Sequence, residues 1–232
     1  MPTITFPPFE PDKAELNPDA SANMLNVVPA ADGYKPFNKL VPFSSALAAA
    51  CKGAFTAKNG TGTSALFAGT TTNLYRLSGT SWDEVSVSAG AYSLPSGHFW
   101  SFTQFGDDVI AANLDDVLQT YTVGSSTDFA NLAGSPPQVR FVWVESGYLG
   151  GGQATGAERT IYRSGLNTTS FWTLGLRGAT SQLLPDGGNV QGAVTAESGA
   201  FIFQENKIRR LVNRPGEEVG FSLSAMENAK GA

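Results

Sequence analysis

The sequence predicts an all-β fold: a β-propeller-like body of about four blades, each of four short antiparallel strands, behind an extended amino-terminal arm. Three observations predict it. Short runs rich in β-branched and aromatic residues recur between Gly, Asn and Asp turns, the pattern of strands and hairpins. The third run of each group keeps a ruler, with Tyr75, Tyr121, Tyr162 and Ile208 spaced 46, 41 and 46 residues apart. Composition agrees. Of 232 residues, 41% are hydrophobic, 26 are Gly and only 15% are charged, against roughly 25% charged in an average globular chain. A lone four-stranded sheet cannot bury both faces, whereas sheets stacked face to face can.

Residues 1–45 form the arm. They are rich in proline (Pro2, Pro7, Pro8, Pro11, Pro18, Pro29, Pro36). Proline fixes φ and lacks a backbone donor, so an extended, irregular segment is expected. Its apolar residues, Phe6 and Phe9 among them, can dock onto a neighbouring surface. Residues 44–50, Ser-Ser-Ala-Leu-Ala-Ala-Ala, are the best local helix segment, though too short to stand alone.

Residues 46–232 form the propeller-like domain, with units near 52–90, 98–135, 138–178 and 190–226. The first unit reads as strands 54–57, 64–69, 73–77 and 82–87. The second reads as 100–105, 108–112, 118–123 and 129–132. The third reads as 139–144, 147–150, 159–163 and 170–174, and the fourth as 192–196, 200–203, 207–211 and 220–223. An aromatic marks each fourth strand: Trp82, Phe129, Trp172 and Phe221. Four blades make a small ring. The propeller is therefore expected to be incomplete or open, unless the arm closes it or its edges pair with another chain.

Chemistry is hard to place on this chain. The net charge of −5 argues against broad nucleic-acid binding. Lys207, Arg209, Arg210 and Arg214 form a short cluster broken by apolar residues, and read as a solvated strand face. No apolar run approaches about 18 residues, so no membrane span is expected. Residues 1–9 lack the pattern of a signal peptide. The single cysteine, Cys51, is expected to be a small buried hydrophobe. The single histidine, His98, sits in a turn without a Gly-x-Ser-x-Gly elbow and reads as structural or surface-bound. Asp107-Asp108 and Asp115-Asp116 lack a calcium-loop frame and read as turn residues. Asp83, Glu84, Glu145 and Glu158 could supply a carboxylate pair, a weak signal in any acidic chain. Residues 147–152, Gly-Tyr-Leu-Gly-Gly-Gly, lack the Gly-Lys-Ser/Thr ending of a phosphate loop. They read as a strand with a closely approached backbone. No catalytic, cofactor-binding or metal-ligating residue is assigned, and no enzymatic activity is expected.

Residues 26–36, Asn-Val-Val-Pro-Ala-Ala-Asp-Gly-Tyr-Lys-Pro, carry a resemblance. They resemble the amino-terminal signature of tail proteins from short-tailed bacteriophages and prophages, where Asn-Val-x-Pro precedes Asp-Gly-Tyr-Arg/Lys-Pro. Residues 53–57, 66–70, 74–78 and 100–107 are similar to that group as well. The resemblance implies a virion structural protein, a tail tube or nozzle component below the portal and adaptor. It implies a ring of copies around the DNA exit channel, with other tail proteins as neighbours and double-stranded DNA passing through unbound. The expected location is the virion tail, after synthesis in the host cytoplasm. The candidate assembly residues are Phe6, Phe9, Asn26, Pro29, Asp32, Gly33, Tyr34 and Pro36. A net negative charge suits a conduit, because adhesion to phosphates needs basic groups. The alternatives are a carbohydrate- or receptor-binding propeller, with Trp100, Trp143 or Trp172 lining a pocket, and a glycan-acting enzyme.

Overall fold

The computed structural model describes residues 25–30, 33–214, 216 and 220–226. It divides into two units, Met1–Phe43 and Ser44–Ala232.

In the first unit, β1 (Val27–Ala30) pairs antiparallel with β2 (Gly33–Pro36). The segment is therefore a hairpin here, not the irregular stretch that its prolines predict. The register explains why. Phe37 N–H donates to Asn26 C=O at 2.7 Å, which makes that pair a hydrogen-bonded one. Bonded and non-bonded pairs alternate in an antiparallel ladder. Val27–Pro36 and Pro29–Tyr34 are then non-bonded pairs, so neither proline is asked for a donor inside the ladder.

Among its described residues the second unit is all strand and loop. Its first sheet is β3 (Gly53–Lys58), β4 (Ser64–Gly69), β5 (Leu74–Ser78) and β6 (Ser81–Glu84). The second is β7 (Ser101–Phe105), β8 (Asp108–Ala112), β9 (Gln119–Thr122) and β10 (Ala130–Asn131). The third is β11 (Val139–Glu145), β12 (Tyr148–Ala154), β13 (Ala157–Arg163) and β14 (Thr180–Leu183). The fourth is β15 (Val190–Ala196), β16 (Gly199–Gln204), β17 (Ile208–Asn213) and β18 (Phe221–Ala225). Every neighbouring pair is antiparallel and consecutive in the chain. These are propeller-type blades, as the spacing predicts.

Two elements differ from the expectation. Residues 44–50 form no helix. Their polar groups go to the β5–β6 hairpin instead: Ser45 N–H donates to Thr80 C=O at 2.7 Å, and Trp82 Nε1 donates to Ser45 C=O at 3.1 Å. The fourth strand of the third blade is β14, not residues 170–174, so that unit runs past residue 178. Residues 170–174 form a loop, held where Gly165 N–H donates to Phe171 C=O at 2.7 Å and Trp172 Nε1 donates to Thr169 C=O at 2.8 Å.

Strand alternation sends side chains to both faces of each blade. In β8, Val109 and Ala111 join the core shared with the first blade, while Ile110 and Ala112 join the core shared with the third. A third cluster, with Trp143, Ile161, Ile202 and Leu211, fills the space between blades three and four. Among the described residues, no core cluster joins blade four to blade one. The first strands lie side by side, β3 on β7, β7 on β11 and β11 on β15. Polar side chains staple them. Gln104 Nε2 donates to Lys58 C=O at 2.7 Å, Val142 N–H donates to Ser101 Oγ at 3.2 Å, and Thr195 Oγ1 donates to Val144 C=O at 2.5 Å.

The glycine run in β12 has a packing cause. A Cβ on Gly150 would lie 2.3 Å from the Trp143 indole, so the bare backbone lets that ring lie against the sheet. Gly69 makes the same room for Trp100, whose Cδ1 would be 2.2 Å from an added Cβ.

Candidate functional site

The candidate assembly residues fall partly on the hairpin of the first unit. Asn26, Pro29, Gly33, Tyr34 and Pro36 come together in or beside β1 and β2. Asn26 and Pro36 are exposed, and Tyr34 is half-buried. Phe6, Phe9 and Asp32 lie outside the described residues. The same unit presents more apolar surface than the sequence reading singled out. Leu25, Leu40, Val41 and Phe43 are between 75% and 80% exposed, and Val27, Val28 and Phe37 are exposed beside them. The run Leu40-Val41-Pro42-Phe43 was the available signal, because four consecutive nonpolar residues outside any strand alternation have no core face to enter.

A buried charge centre occupies the interface of blades three and four. The two-residue turn between β11 and β12 places Ser146 at φ 45° and Gly147 at φ 82°, the primed geometry that suits a tight hairpin. Glu145 thereby ends β11 directly opposite Tyr148. Alternation from Phe141 and Trp143 turns Glu145 toward blade four. Arg163, at the end of β13, points the same way. The pair is 0% and 1% exposed, with Arg163 Nε 2.8 Å from Glu145 Oε1. The N–H is poorly aligned, and neither carboxylate oxygen accepts a hydrogen bond among the described residues. Burial raises the Glu145 carboxyl to about 7, opposed by the Arg163 charge. Burial also lowers the Arg163 guanidinium, opposed by Glu145. Arg163 is held by other means as well. Its Cζ lies 3.8 Å from the Tyr148 ring centroid and 4.8 Å from that of Phe221, and Nη2 donates to Asn213 Oδ1 at 3.2 Å. Two aromatic faces replace much of the lost water around the cation.

The other carboxylates of the sequence reading stand in different settings. Asp83 is 3.8 Å from Arg76, Glu84 accepts from Asn73 Nδ2 at 2.6 Å, and exposed Glu158 accepts from Gly156 N–H at 2.9 Å. No group of three or more His, Cys, Asp or Glu gathers among the described residues. His98 Nδ1 is 2.6 Å from Asp115 Oδ2. Asp107 accepts from Gly60 N–H at 2.8 Å, and Asp108 accepts from Thr122 Oγ1 at 2.5 Å. The loop at Asp115 and Asp116 turns on Asn113, whose Oδ1 accepts both of their N–H groups.

Cys51 is exposed, contrary to expectation. It lies in the connection before β3, outside the alternation that would bury it. The indoles of Trp100 and Trp143 are buried in blade cores. The basic cluster is not one solvated face, since Lys207 and Arg209 both converge on Asp186. A polar cleft of about 250 Å³ opens between blades one and two, lined by Ser64, Arg76, Ser78, Tyr121 and Gly124 among others. No helix among the described residues is long and apolar enough to cross a membrane.

No family model and no curated protein matches the chain. Two solved structures of BBS1N in complex with ARL6DN are similar to it, one soaked with lead and one with mercury. Both are 14% identical in sequence. The lead-soaked structure matches at a TM-score of 0.44 over 84% of this chain and 59% of that one. The mercury-soaked structure matches at a TM-score of 0.47 over 87% of this chain and 63% of that one. The chain thus spans less than two thirds of either.

Proposed function

We propose that this protein is a structural component of a short-tailed phage or prophage virion, a tail tube or nozzle subunit that packs against its neighbours around the DNA exit channel. The observation that carries the reading is the exposed apolar side chains of the first unit, with Leu25, Leu40, Val41 and Phe43 largely exposed. Scattered single apolar residues need no explanation, whereas a clustered set marks a surface that another polypeptide covers. The phage-like signature lies in the same segment, at residues 26–36. The blades supply a rigid body, and the net charge of −5 disfavours adhesion to passing DNA.

Immunogold labelling and negative-stain imaging of particles test this. The expected result is label at the tail and tailless or unsealed particles when the gene product is missing. Normal infectious particles that lack the protein would overturn the reading.

A further inference from the structure

Two arginines on the third strands of blades one and three share one arrangement. Arg76 in β5 leaves its blade and donates to the Tyr121 hydroxyl in β9, the third strand of the next blade, at 2.6 Å. Arg163 in β13 leaves its blade for Asn213 in β17 and the Phe221 ring. Each arginine points forward along the chain, and each meets a polar or aromatic group on the following sheet.

Arg210 in β17 faces the same, forward way on blade four. It lies opposite Phe201 of β16 and Ser224 of β18. Its neighbours Leu211 and Arg209 face the other way, since Leu211 joins the core with blade three. The outward face around Arg210 carries apolar side chains beside Ser222 and Ser224. Val194 pairs with Phe201, and Phe203 pairs with Ile208. Val194 is 50% exposed, and Arg210 is exposed with no hydrogen bond or ion pair among the described residues. This is the forward half of a blade interface.

The backward half exists on blade one. Tyr75, on the third strand of that sheet, pairs with Ala68 on one side and Glu84 on the other. Its neighbours Leu74 and Arg76 face blade two, so Tyr75 and Glu84 face outward. The Tyr75 hydroxyl makes no hydrogen bond among the described residues, and Glu84 is exposed, with Oε1 accepting from Asn73 Nδ2 at 2.6 Å. Trp82, on the same face, donates to Ser45 C=O at its border. Tyr121, the acceptor for Arg76, occupies the backward face of blade two in the same way.

We infer that the outward face of blade four docks on the outward face of blade one of a second copy, with Arg210 of one copy meeting Tyr75 and Glu84 of the other. The inference rests on the self-assembly in the reading above and names its surface. Charge complementarity favours this occupant, since one face offers the cation of Arg210, unpaired among the described residues, and the other a carboxylate beside a phenol with no hydrogen bond among those residues. Two different faces meet, so the contact is head-to-tail and repeats into a ring or a filament.

Sedimentation velocity of the full chain tests it with Arg210→Glu, Glu84→Arg and their equimolar mixture. Both positions are exposed, and circular dichroism checks that each variant keeps its fold. The expected result is that either substitution weakens self-association about tenfold or more. The mixture regains it, because each altered face then finds its opposite charge on the other variant. Self-association that ignores both substitutions, a mixture that fails to recover, or a wild-type chain that stays monomeric up to about 100 μM would each overturn the inference. Association that ignores the charges leaves the tail reading standing. Charge-dependent association of a protein missing from particles leaves this contact standing and sinks the tail reading.

Discussion

Arg76 Nη1 and the Tyr121 hydroxyl meet at 2.6 Å across the gap between two blades. The bond caps an aromatic cluster, since the Tyr121 ring lies 4.9 Å from Phe67 and 5.2 Å from Phe129. Tyr121→Phe keeps the ring contacts and removes the acceptor. Arg76 is about one-third exposed, so water replaces part of the loss. The expected destabilisation is about 0.5–1.5 kcal/mol, measured as a shift of the urea midpoint at constant slope. No shift at all would mean that the bond contributes nothing beyond solvation.

Gly150→Ala places a methyl 2.3 Å from the Trp143 ring. The sheet and the indole cannot both keep their positions. Overpacking of this kind destabilises by about 1–3 kcal/mol, and near-ultraviolet dichroism should report the displaced indole. Adding Trp143→Ala frees the space that the methyl needs. The two changes are therefore expected to be non-additive, with the double variant more stable than the sum of the singles. Thermal unfolding of the four proteins checks this.

Glu145 sets a pH dependence. Its carboxyl is raised from 4.5 to about 7 in the folded protein, first by burial. Between those values the folded state holds a proton that the unfolded chain releases, so stability falls as pH rises through this window. The favourable contribution is complete below about 4.5 and gone above about 7. Glu145→Gln removes the titration, and its melting temperature should change less between pH 5 and pH 7.5 than that of the wild type. Equal slopes for both proteins would remove Glu145 from the account.

Deleting residues 1–40 removes Leu25, Leu40 and the signature segment of the proposed assembly surface and leaves the blades. The blade region forms its own compact unit from Ser44 onward. The truncated chain should keep its β-type circular dichroism and a cooperative melt while losing incorporation into particles. Collapse of the β signal would show that the segment completes the fold.

Most of the blade plan was legible because alternation and turn chemistry are local. Ala54 through Trp82 could be read as a four-strand meander without any tertiary knowledge. The third blade shows where local reading fails. Phe171 and Trp172 have strand-like composition, but Trp172 is apolar because it packs against the core of blades two and three, and Arg177 lies 4.8 Å over the Phe171 ring. The true fourth strand reads Thr-Ser-Gln-Leu, an edge whose exposure asks for little hydrophobicity. The buried charge centre carried a usable hint. Glu145 continues the alternation of Phe141 and Trp143, which puts an acid on a buried face. Its partner Arg163 is brought to it only by strand pairing across β12. Arg210 was legible only as one member of a basic cluster, because the direction it faces depends on the register of β16 against β17.

The absence of a core cluster between blades four and one, among the described residues, gives the second unit two ends and a middle. Each inner blade loses two interfaces when it opens, and each end blade only one. In such a linear array, opening propagates from the ends inward, much like a frayed zipper. Backbone amides of β8 and β12 should therefore be the last to exchange with deuterium, and those of β18 among the first. Contact between copies through the end faces would convert those ends into interior positions, so association itself would slow exchange at the blades farthest from the centre.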